Sequence, residues 1–266
     1  MRHKKIFLFD LDGTLYLGGR VLPGAVELVH WLRKQGHGVF FFTNNSSRSL
    51  NDYVHKLKGM KFGARPSEIV MSTHTLISFL HKKRWKNIFL LGTPSMESML
   101  KRSGIRHRKS DRPQAVVVGF DKTITYEKLL SAARWIDQGV PFVVTHPDYF
   151  CPTEKGPEPD CGAMAKLLEF TTGKMPLITL GKPHRSMIEE VFRRLNRKIS
   201  KNEFLLIGDR LQTDIQMARN AGIDSLLVLT GETKRGGLDK RMRSAKLRPR
   251  WILPSVKALL EVLRNN

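Results

Sequence analysis

Residues 6–14 have the sequence IFLFDLDGT, in which an apolar run ends in two aspartates and a Gly-Thr turn. The apolar run predicts a buried strand, and a helical pattern follows over about 24–34. A second apolar run at 38–42 ends in TNNSS and precedes another helical stretch at 49–60. This order of strand, helix, strand and helix predicts an α/β fold with a parallel sheet, whose active site lies at the carboxyl ends of the strands.

The same pattern returns near the end of the chain. Apolar runs at 203–207 and 225–229 predict two more buried strands, with a helical segment at 214–220 between them. A short run at 251–253 predicts an edge strand. Both ends of the chain therefore contribute to one core sheet.

A middle block has its own alternation of strands and helices. Its strand candidates are 88–91, 115–120 and 141–145. This block predicts an independent, smaller α/β domain inserted into the core. The predicted division is a first core part over 1–78, an inserted domain over 79–179 and a second core part over 180–266.

The composition favours a folded globular protein, with 41% hydrophobic and 26% charged residues. No apolar run reaches the roughly 18 residues that a membrane helix requires. Asp10 and Asp12 interrupt the N-terminal apolar run before it could serve as a secretion signal, so we expect a cytoplasmic protein. Cys151 and Cys161 form no CxxC pair, which favours free thiols over a local disulfide.

The net charge is high, because 46 Lys and Arg residues face 24 Asp and Glu residues, giving +22. Such an excess attracts anions and is compatible with nucleic-acid binding, but it is equally expected from a host with generally basic proteins. The densest basic run, at 234–250, contains no aromatic residue that could stack on bases. A solvated basic surface is therefore favoured over a nucleic-acid site.

Asp10 and Asp12 are the first candidates for chemistry, since carboxylates are almost never buried unless they are paired or bind a metal. A structural reading makes Asp12 a cap and Gly13 a turn residue. In the functional reading, a divalent cation keeps Asp10 ionised as a nucleophile. Asp12 then protonates the leaving oxygen and later deprotonates the attacking water.

Other polar residues follow the ends of predicted strands. For Thr43 and Asn44, which precede a predicted helix, a plain helix cap is the reading that the residues alone favour. The other reading is that the Thr43 hydroxyl and the Asn44 backbone N–H donate to phosphate oxygens. Asp209 and Asp214 lie on a loop that runs into a helix, and a cap role for Asp214 would explain only one of these two acids. Lys182 is one of 46 basic residues, so composition does not distinguish it.

Four segments, FDLDGTLYLG, FFTNNSS, GKPH and GDRLQTDI, resemble in this order the four motifs of the haloacid dehalogenase superfamily of phosphohydrolases. The insertion between the second and third motifs resembles the NagD-like, p-nitrophenyl phosphatase branch. This resemblance implies a Rossmann-like parallel-sheet core with an inserted α/β cap. It also implies Mg²⁺-dependent hydrolysis of a small phosphorylated metabolite through an aspartyl phosphate on Asp10.

The resemblance also assigns roles to residues of this chain. Lys182 becomes the cation that neutralises the phosphoryl group and Asp10. The resemblance also favours phosphate contact over a plain helix cap for Thr43 and Asn44. The Mg²⁺ ligands become Asp10, Asp209 and the backbone carbonyl of Asp12, while Asp214 supports the site or orients Lys182. Magnesium suits such oxygen ligands.

The inserted domain resembles the cap that supplies substrate contacts in this branch. The segment 145–164 corresponds to the substrate-facing stretch of the cap, so His146 and Asp148 are candidates for substrate contact, although solvent exposure is the commoner role of such loop residues. This chain has His146-Pro147-Asp148 where the family commonly has Asn-Pro-Asp, so the resemblance names no particular substrate. Sugar phosphates, nucleoside monophosphates, phosphoglycolate and glycerol phosphate all stay open as substrates. A homodimer through the cap is expected, and the alternative function is a nucleic-acid or anionic-surface binding protein with an incidental site.

Overall fold

The chain folds into two compact units in a computed structural model, which describes residues 1, 3–108, 111–153, 155–195 and 199–265. The core unit comprises Met1–Thr43, Val54–Val70 and Pro183–Asn266. The inserted unit comprises Asn44–Tyr53 and Met71–Lys182. The predicted start of the inserted domain, residue 79, falls inside a helix of the inserted unit, Ser72–Lys82.

The strands of the described residues are numbered along the chain. They are β1 (Ile6–Asp10), β2 (Tyr16–Leu17), β3 (Arg20–Val21), β4 (Gly38–Thr43), β5 (Ile69–Met71), β6 (Asn87–Leu91), β7 (Arg106–His107), β8 (Ala115–Val118), β9 (Phe142–Val144), β10 (Phe150–Thr153), β11 (Gly156–Pro159), β12 (Ile178–Thr179), β13 (Phe204–Gly208), β14 (Asp224–Val228) and β15 (Trp251–Leu253).

The helices are numbered in the same way. They are α1 (Ala25–Lys34), α2 (Leu50–Gly59), α3 (Ser72–Lys82), α4 (Pro94–Arg102), α5 (Tyr126–Asp137), α6 (Cys161–Thr172), α7 (Ser186–Leu195), α8 (Gln216–Ala221), α9 (Leu238–Ala245) and α10 (Val256–Arg264). Short 3-10 turns span Pro66–Glu68 and Lys201–Glu203, and a π-helical turn spans Leu211–Ile215.

The core sheet has the strand order β15-β14-β13-β1-β4-β5. Strand β1 pairs in parallel with β13 on one side and β4 on the other. All residues of β1 and β13 are buried, as expected for near-continuous apolar strands covered on both faces. The carboxyl ends of β1, β4 and β13 consequently lie at one edge of this sheet.

The inserted unit has a second parallel sheet with the order β12-β9-β8-β6-β7. Leu76 and Leu80 of α3 pack in one buried cluster with Ile88 and Leu90 of β6. No sequence pattern had predicted α3. Small antiparallel pairs, β2-β3 and β10-β11, complete the described strands.

The structure confirms the predicted α/β class, with a parallel core sheet and a second, smaller α/β unit. The predicted helix at 214–220 differs, because the chain forms a π-helical turn before α8 begins at Gln216. Cys151 and Cys161 form no disulfide in the described residues, which agrees with the favoured prediction. In the same part of the chain, no helix has the length and apolarity needed to cross a membrane.

A buried ion pair joins the segment before β1 to the start of β14. The Lys4 side chain is fully buried, and its Nζ lies 2.5 Å from Oδ2 of Asp224 and also donates to the carbonyl oxygen of Asn202. Arg250 contacts the other carboxylate oxygen of Asp224 at 3.2 Å. Asp224 thus holds the amino ends of three segments of the core sheet together.

We expect Asp224→Asn to lower the free energy of unfolding at pH 7 by about 2 kcal/mol, because it leaves the Lys4 ammonium buried without its carboxylate. Burial tends to raise the pKa of the Asp224 carboxyl, but the hydrogen bond and charge of Lys4, and then those of Arg250, outweigh it and lower this pKa. The stabilisation is therefore present above the ordinary pKa of about 4 and is lost as the pH falls through the lowered folded value.

Urea unfolding of both proteins between pH 7 and pH 3 measures this difference. The difference in the free energy of unfolding between the original protein and the variant should be smaller at pH 3 than at pH 7. Asp137→Asn, at an exposed carboxylate, serves as the control. If the difference in the free energy of unfolding is the same at pH 3 and at pH 7, the ion pair is not the cause of the destabilisation.

Candidate active site

Three acidic side chains converge at the carboxyl edge of the core sheet. Asp10 is the last residue of β1, Asp209 directly follows β13, and Asp214 lies in the π-helical turn. One carboxylate oxygen from each lies within 4.8 Å of the others. Their exposed fractions are 8%, 1% and 1%, so the cluster is nearly shielded from solvent. The structure thus brings together three of the acids that the sequence singled out.

Asp209 is the most constrained of the three. Its Oδ2 accepts a hydrogen bond of 2.6 Å from the backbone N–H of Glu232. Its Oδ1 is buried and has no hydrogen-bond partner within the described residues. Burial first, and then the charges of Asp10 and Asp214, raise the pKa of Asp209 well above its ordinary value. An ionised Asp209 therefore needs a positive charge at this place.

A divalent cation fits this need. Asp10, Asp209 and Asp214 offer only carboxylate oxygens, which are the ligands of hard cations such as Mg²⁺ and Ca²⁺ rather than of Zn²⁺. Such an ion would give Oδ1 of Asp209 a partner and neutralise the mutual repulsion of the cluster. The donor set and the buried unpaired oxygen both favour a divalent metal.

Two glycines let the backbone approach Asp209 closely. A Cβ atom added at Gly13 would lie 2.5 Å from Oδ2 of Asp209, and one added at Gly231 would lie 1.9 Å from it. The Thr230 hydroxyl donates to the carbonyl oxygen of Gly13 at 2.6 Å, so the loops after β1 and β14 are joined. Sequence reasoning missed Thr230, Gly231 and Glu232. The sequence feature that could have indicated them is the Gly-containing turn that directly follows the predicted strand at 225–229.

Asp214 does not cap the following helix. Its Oδ2 accepts a 3.2 Å hydrogen bond from the backbone N–H of Arg210, and α8 begins two residues later. A Cβ at Gly208 would lie 2.3 Å from the Asp214 Cβ, so this side chain packs directly against the end of β13. Isolated π-helical turns often occur at functional sites, and here the turn carries an acid of the cluster.

Asp12 is exposed at the surface of the core unit and stands outside this cluster of three. Neighbouring protein atoms partly desolvate its carboxyl and raise its pKa, against the opposing charge of Lys56, the backbone of Gly18 and the charge of Arg210. A raised pKa suits an acid that gives up a proton near neutral pH. Lys56, which sequence reasoning missed, lies 4.0 Å over the ring of Tyr16.

Thr43 ends β4 at the same edge of the sheet. Asp10 is the register partner of Phe42, so Thr43 stands one residue beyond that pair. Its exposed fraction is 7%.

In the inserted unit, the Asn44 side chain makes two hydrogen bonds to the backbone of Lys182. Oδ1 of Asn44 accepts from the Lys182 N–H at 2.7 Å, and Nδ2 donates to the Lys182 carbonyl at 3.1 Å. Nδ2 also donates to Oδ2 of Asp148 at 2.9 Å. The sequence predicted a role for the Asn44 backbone, and the structure adds one for its side chain.

His146 is fully buried in the inserted unit, so the solvent-exposed reading of this residue was wrong. Its Nε2 lies 2.9 Å from Oδ1 of Asp160, and its Nδ1 lies 2.9 Å from the hydroxyl of Thr145. Burial tends to lower the pKa of His146, but the hydrogen bond and charge of Asp160 outweigh it and raise this pKa. Asp160, which sequence reasoning missed, thus fixes the orientation of the ring.

Comparisons with known proteins agree with this geometry. Residues 7–106 match the family model described as haloacid dehalogenase-like hydrolase, and residues 179–259 match a second model described as a HAD-hydrolase-like family. The acid sugar phosphatase of Staphylococcus haemolyticus is 31% identical over 88% of each chain.

Solved structures are similar over nearly the whole chain. A 4-nitrophenylphosphatase from Thermotoga maritima has a TM-score of 0.90 and 35% identity, covering 97% of both chains. A glycerol phosphate phosphatase from Mycobacterium tuberculosis, in complex with calcium, has a TM-score of 0.86 and 31% identity, covering 97% of this chain and 75% of that one.

We expect Asp209→Asn to raise the thermal midpoint in EDTA by roughly 2–4 °C, because it removes one of three mutually repelling carboxylates. Added MgCl₂ or CaCl₂ should stabilise the original protein and have little effect on the variant, which lacks a ligand. Thermal unfolding with and without these salts makes the measurement. Asp239→Asn, at an exposed acid, is the matched control, and equal stabilisation of all three proteins by the cation would contradict a metal site here.

Proposed function

Since the chain belongs to the haloacid dehalogenase-like hydrolases, we propose that it hydrolyses small phosphate monoesters with Mg²⁺ through an aspartyl phosphate on Asp10. That it is a phosphatase, a phosphoric monoester hydrolase, follows from the family and from its named relatives. The finer proposal is carried by the buried cluster of Asp10, Asp209 and Asp214, with its one unpaired oxygen.

In the first step, an Asp10 carboxylate oxygen attacks phosphorus in line with the ester oxygen. The new O–P bond forms as the P–O bond to the alcohol breaks. Asp12 gives its proton to the departing alkoxide, which leaves as an alcohol, and its raised pKa suits this role.

In the second step, Asp12, now a carboxylate, takes a proton from a water molecule. The water oxygen attacks phosphorus, the Asp10–phosphorus bond breaks, and inorganic phosphate leaves with both aspartates restored. One pair of carboxyl groups therefore serves both halves of the reaction.

A bound Mg²⁺ would supply charge neutralisation for the phosphoryl oxygens and keep Asp10 ionised. We propose Asp10, Asp209 and Asp214 as its carboxylate residues, with the backbone carbonyl of Asp12 as a further ligand. The oxygen-only donor set supports this choice, and the mycobacterial relative, whose structure is a complex with calcium, supports a divalent ion in this family.

We further propose that Lys182 neutralises the transferred phosphoryl group, together with the Thr43 hydroxyl and the Asn44 backbone N–H. Two observations support this set. Lys182 lies in the third family motif, and the Asn44 amide fixes its backbone by two hydrogen bonds. These bonds fix the backbone position from which the buried Lys182 side chain extends, which limits the volume that its ammonium can sample.

For the substrate, we propose a small phosphorylated metabolite of the sugar phosphate, nucleoside monophosphate or phosphoglycolate type. Relatives are named for acid sugar phosphates, 4-nitrophenyl phosphate and glycerol phosphate. Asp148 is proposed to contact the substrate, because its carboxylate is only partly buried. His146 is proposed to hold Thr145 and Asp160 in position rather than to contact the substrate, since both its ring nitrogens already have these partners.

The alternative, a nucleic-acid or anionic-surface binding protein with an incidental site, is not favoured. The relatives are phosphatases, and the acids of the site are present and converge. A buried cluster of three carboxylates would repel phosphate unless a cation covers it.

A panel of phosphate monoesters tests the proposal. The panel holds a sugar phosphate, a nucleoside monophosphate, phosphoglycolate, glycerol phosphate and p-nitrophenyl phosphate, each with MgCl₂, CaCl₂ or EDTA. We expect turnover only with Mg²⁺. Asp10→Asn should lower kcat by roughly 10³-fold or more, and Asp12→Asn by roughly 10²–10⁴-fold.

Thermal unfolding of both variants controls for folding, and Asp239→Asn, which changes an exposed acid, should keep full activity. Turnover by Asp10→Asn at the original rate would rule out Asp10 as the nucleophile. Full activity in EDTA would rule out the metal.

We also propose that the chain forms a homodimer through the inserted unit. This unit exposes several large apolar side chains along and after α6: Leu167 (45%), Phe170 (88%), Met175 (70%) and Leu177 (52%). Leu167 and Phe170 stand three residues apart on α6 and so share one side of the helix, and exposed apolar neighbours of this kind mark association surfaces.

Phe170→Glu should shift the molecule from dimer to monomer, because a carboxylate would be desolvated in the interface. Size-exclusion chromatography with light scattering measures the mass. Leu17→Glu, at an exposed apolar residue of the core unit, is the control and should leave the mass unchanged. A monomeric original protein would contradict the proposal.

A further inference from the structure

The core unit carries a concave basic surface, which we call the basic groove. Its largest hollow has a volume of about 460 Å³ and is lined by Arg219, Met242, Arg243, Lys246 and Arg248. Two adjoining hollows share Arg248 and extend towards Ile252 and Arg250. This volume falls within the roughly 300–1,000 Å³ of small-molecule sites.

The basic groove lies at the opposite edge of the core sheet from the acid cluster. Asp224 and Ser225, at the amino end of β14, line one of its hollows, and Arg250 directly precedes β15. Asp10 and Asp209 stand at the carboxyl ends of β1 and β13. With a rise of about 3.3 Å per residue, the five-residue strand β13 separates the two edges by about 13 Å.

Four cations of the basic groove have no carboxylate partner in the part of the chain that the structure describes: Arg219, Arg243, Lys246 and Arg248. All four are exposed. Arg250, in contrast, pairs with Asp224 at 3.2 Å. Four neighbouring positive charges repel one another until an anion binds among them. Arginine offers paired N–H donors that match phosphate oxygens.

The backbone fixes the segment that carries two of these cations. Lys246 has a left-handed backbone with φ 52°, which is unfavourable for a residue with a side chain. The Arg219 side chain donates to the Lys246 carbonyl at 2.8 Å and holds this turn. Leu247 is buried with Leu211 and Leu227, so the backbone that carries its two basic neighbours is anchored between them.

The lining favours a small ligand over nucleic acid. Among the described residues that line the groove there is no aromatic side chain on which a base could stack. The ring of nearby Trp251 is covered by Lys4 at 5.8 Å and Arg250 at 5.0 Å. We propose that the basic groove binds a small anion with two or more linked phosphate groups, independently of the catalytic reaction.

Isothermal titration calorimetry with inorganic pyrophosphate tests this proposal. The titration is done in EDTA, so that no cation can recruit phosphate to the acid cluster. The double variant R243Q/R248Q should weaken pyrophosphate binding by at least about tenfold. The control R102Q/R106Q removes the same charge from two exposed arginines of the inserted unit and should change binding less than about twofold.

Additional titrations distinguish a specific phosphate site from a general effect of positive charge. The single variants R243Q and R248Q should each weaken binding by about threefold, which covers the case of a misfolded double variant. Phosphatase activity of R243Q/R248Q should match the original protein, so failure here and failure of the proposed function are distinguishable. The proposal is overturned if pyrophosphate does not bind, if it binds no more tightly than orthophosphate, or if duplex DNA binds at these arginines and pyrophosphate does not compete.

Discussion

Mutual repulsion among Asp10, Asp209 and Asp214 is the constraint on which the site depends. The parallel pairing of β1 with β13 forces Asp10 and Asp209 to the same edge, and the π-helical turn adds Asp214. Three ionised carboxylates whose oxygens lie within 4.8 Å of one another, nearly shielded from solvent, are unfavourable unless a cation binds among them. The folding energy of the sheet therefore maintains a site that is poised for a metal and, through it, for phosphate.

Much of this site could be predicted from the sequence, because its acids follow apolar strands whose parallel order is evident from the chain. Asp10, Asp209 and Asp214 belong to that class. The glycines beside Asp209 were harder to predict, since their role is defined by the space that a Cβ would fill and not by any chemistry of their own. The helix α3 was missed although Leu76, Phe79 and Leu80 have the spacing of one helix face. The Ser and Thr residues of its first turn are weak helix formers and obscured this short pattern.

The inserted unit shows a different limit of sequence reasoning. His146 lies in a segment rich in turn residues, which suggested a loop in solvent, yet it is buried between Thr145 and Asp160. Its partner lies fourteen positions away along the chain, and no local pattern reveals such a contact. The basic residues posed the same difficulty, because only the fold shows which of them share a hollow and have no ion-pair partner among the described residues.

The Asn44 amide has a consequence for which residues its position can tolerate. It accepts one hydrogen bond and donates two, to the Lys182 carbonyl and to Asp148. An aspartate, which has the same shape, would put a carboxylate oxygen in place of the donor nitrogen and turn both donated bonds into contacts between oxygen atoms. The position of the Lys182 backbone thus depends on one group that is donor and acceptor at once, and a change of a single atom type in that group would lose it.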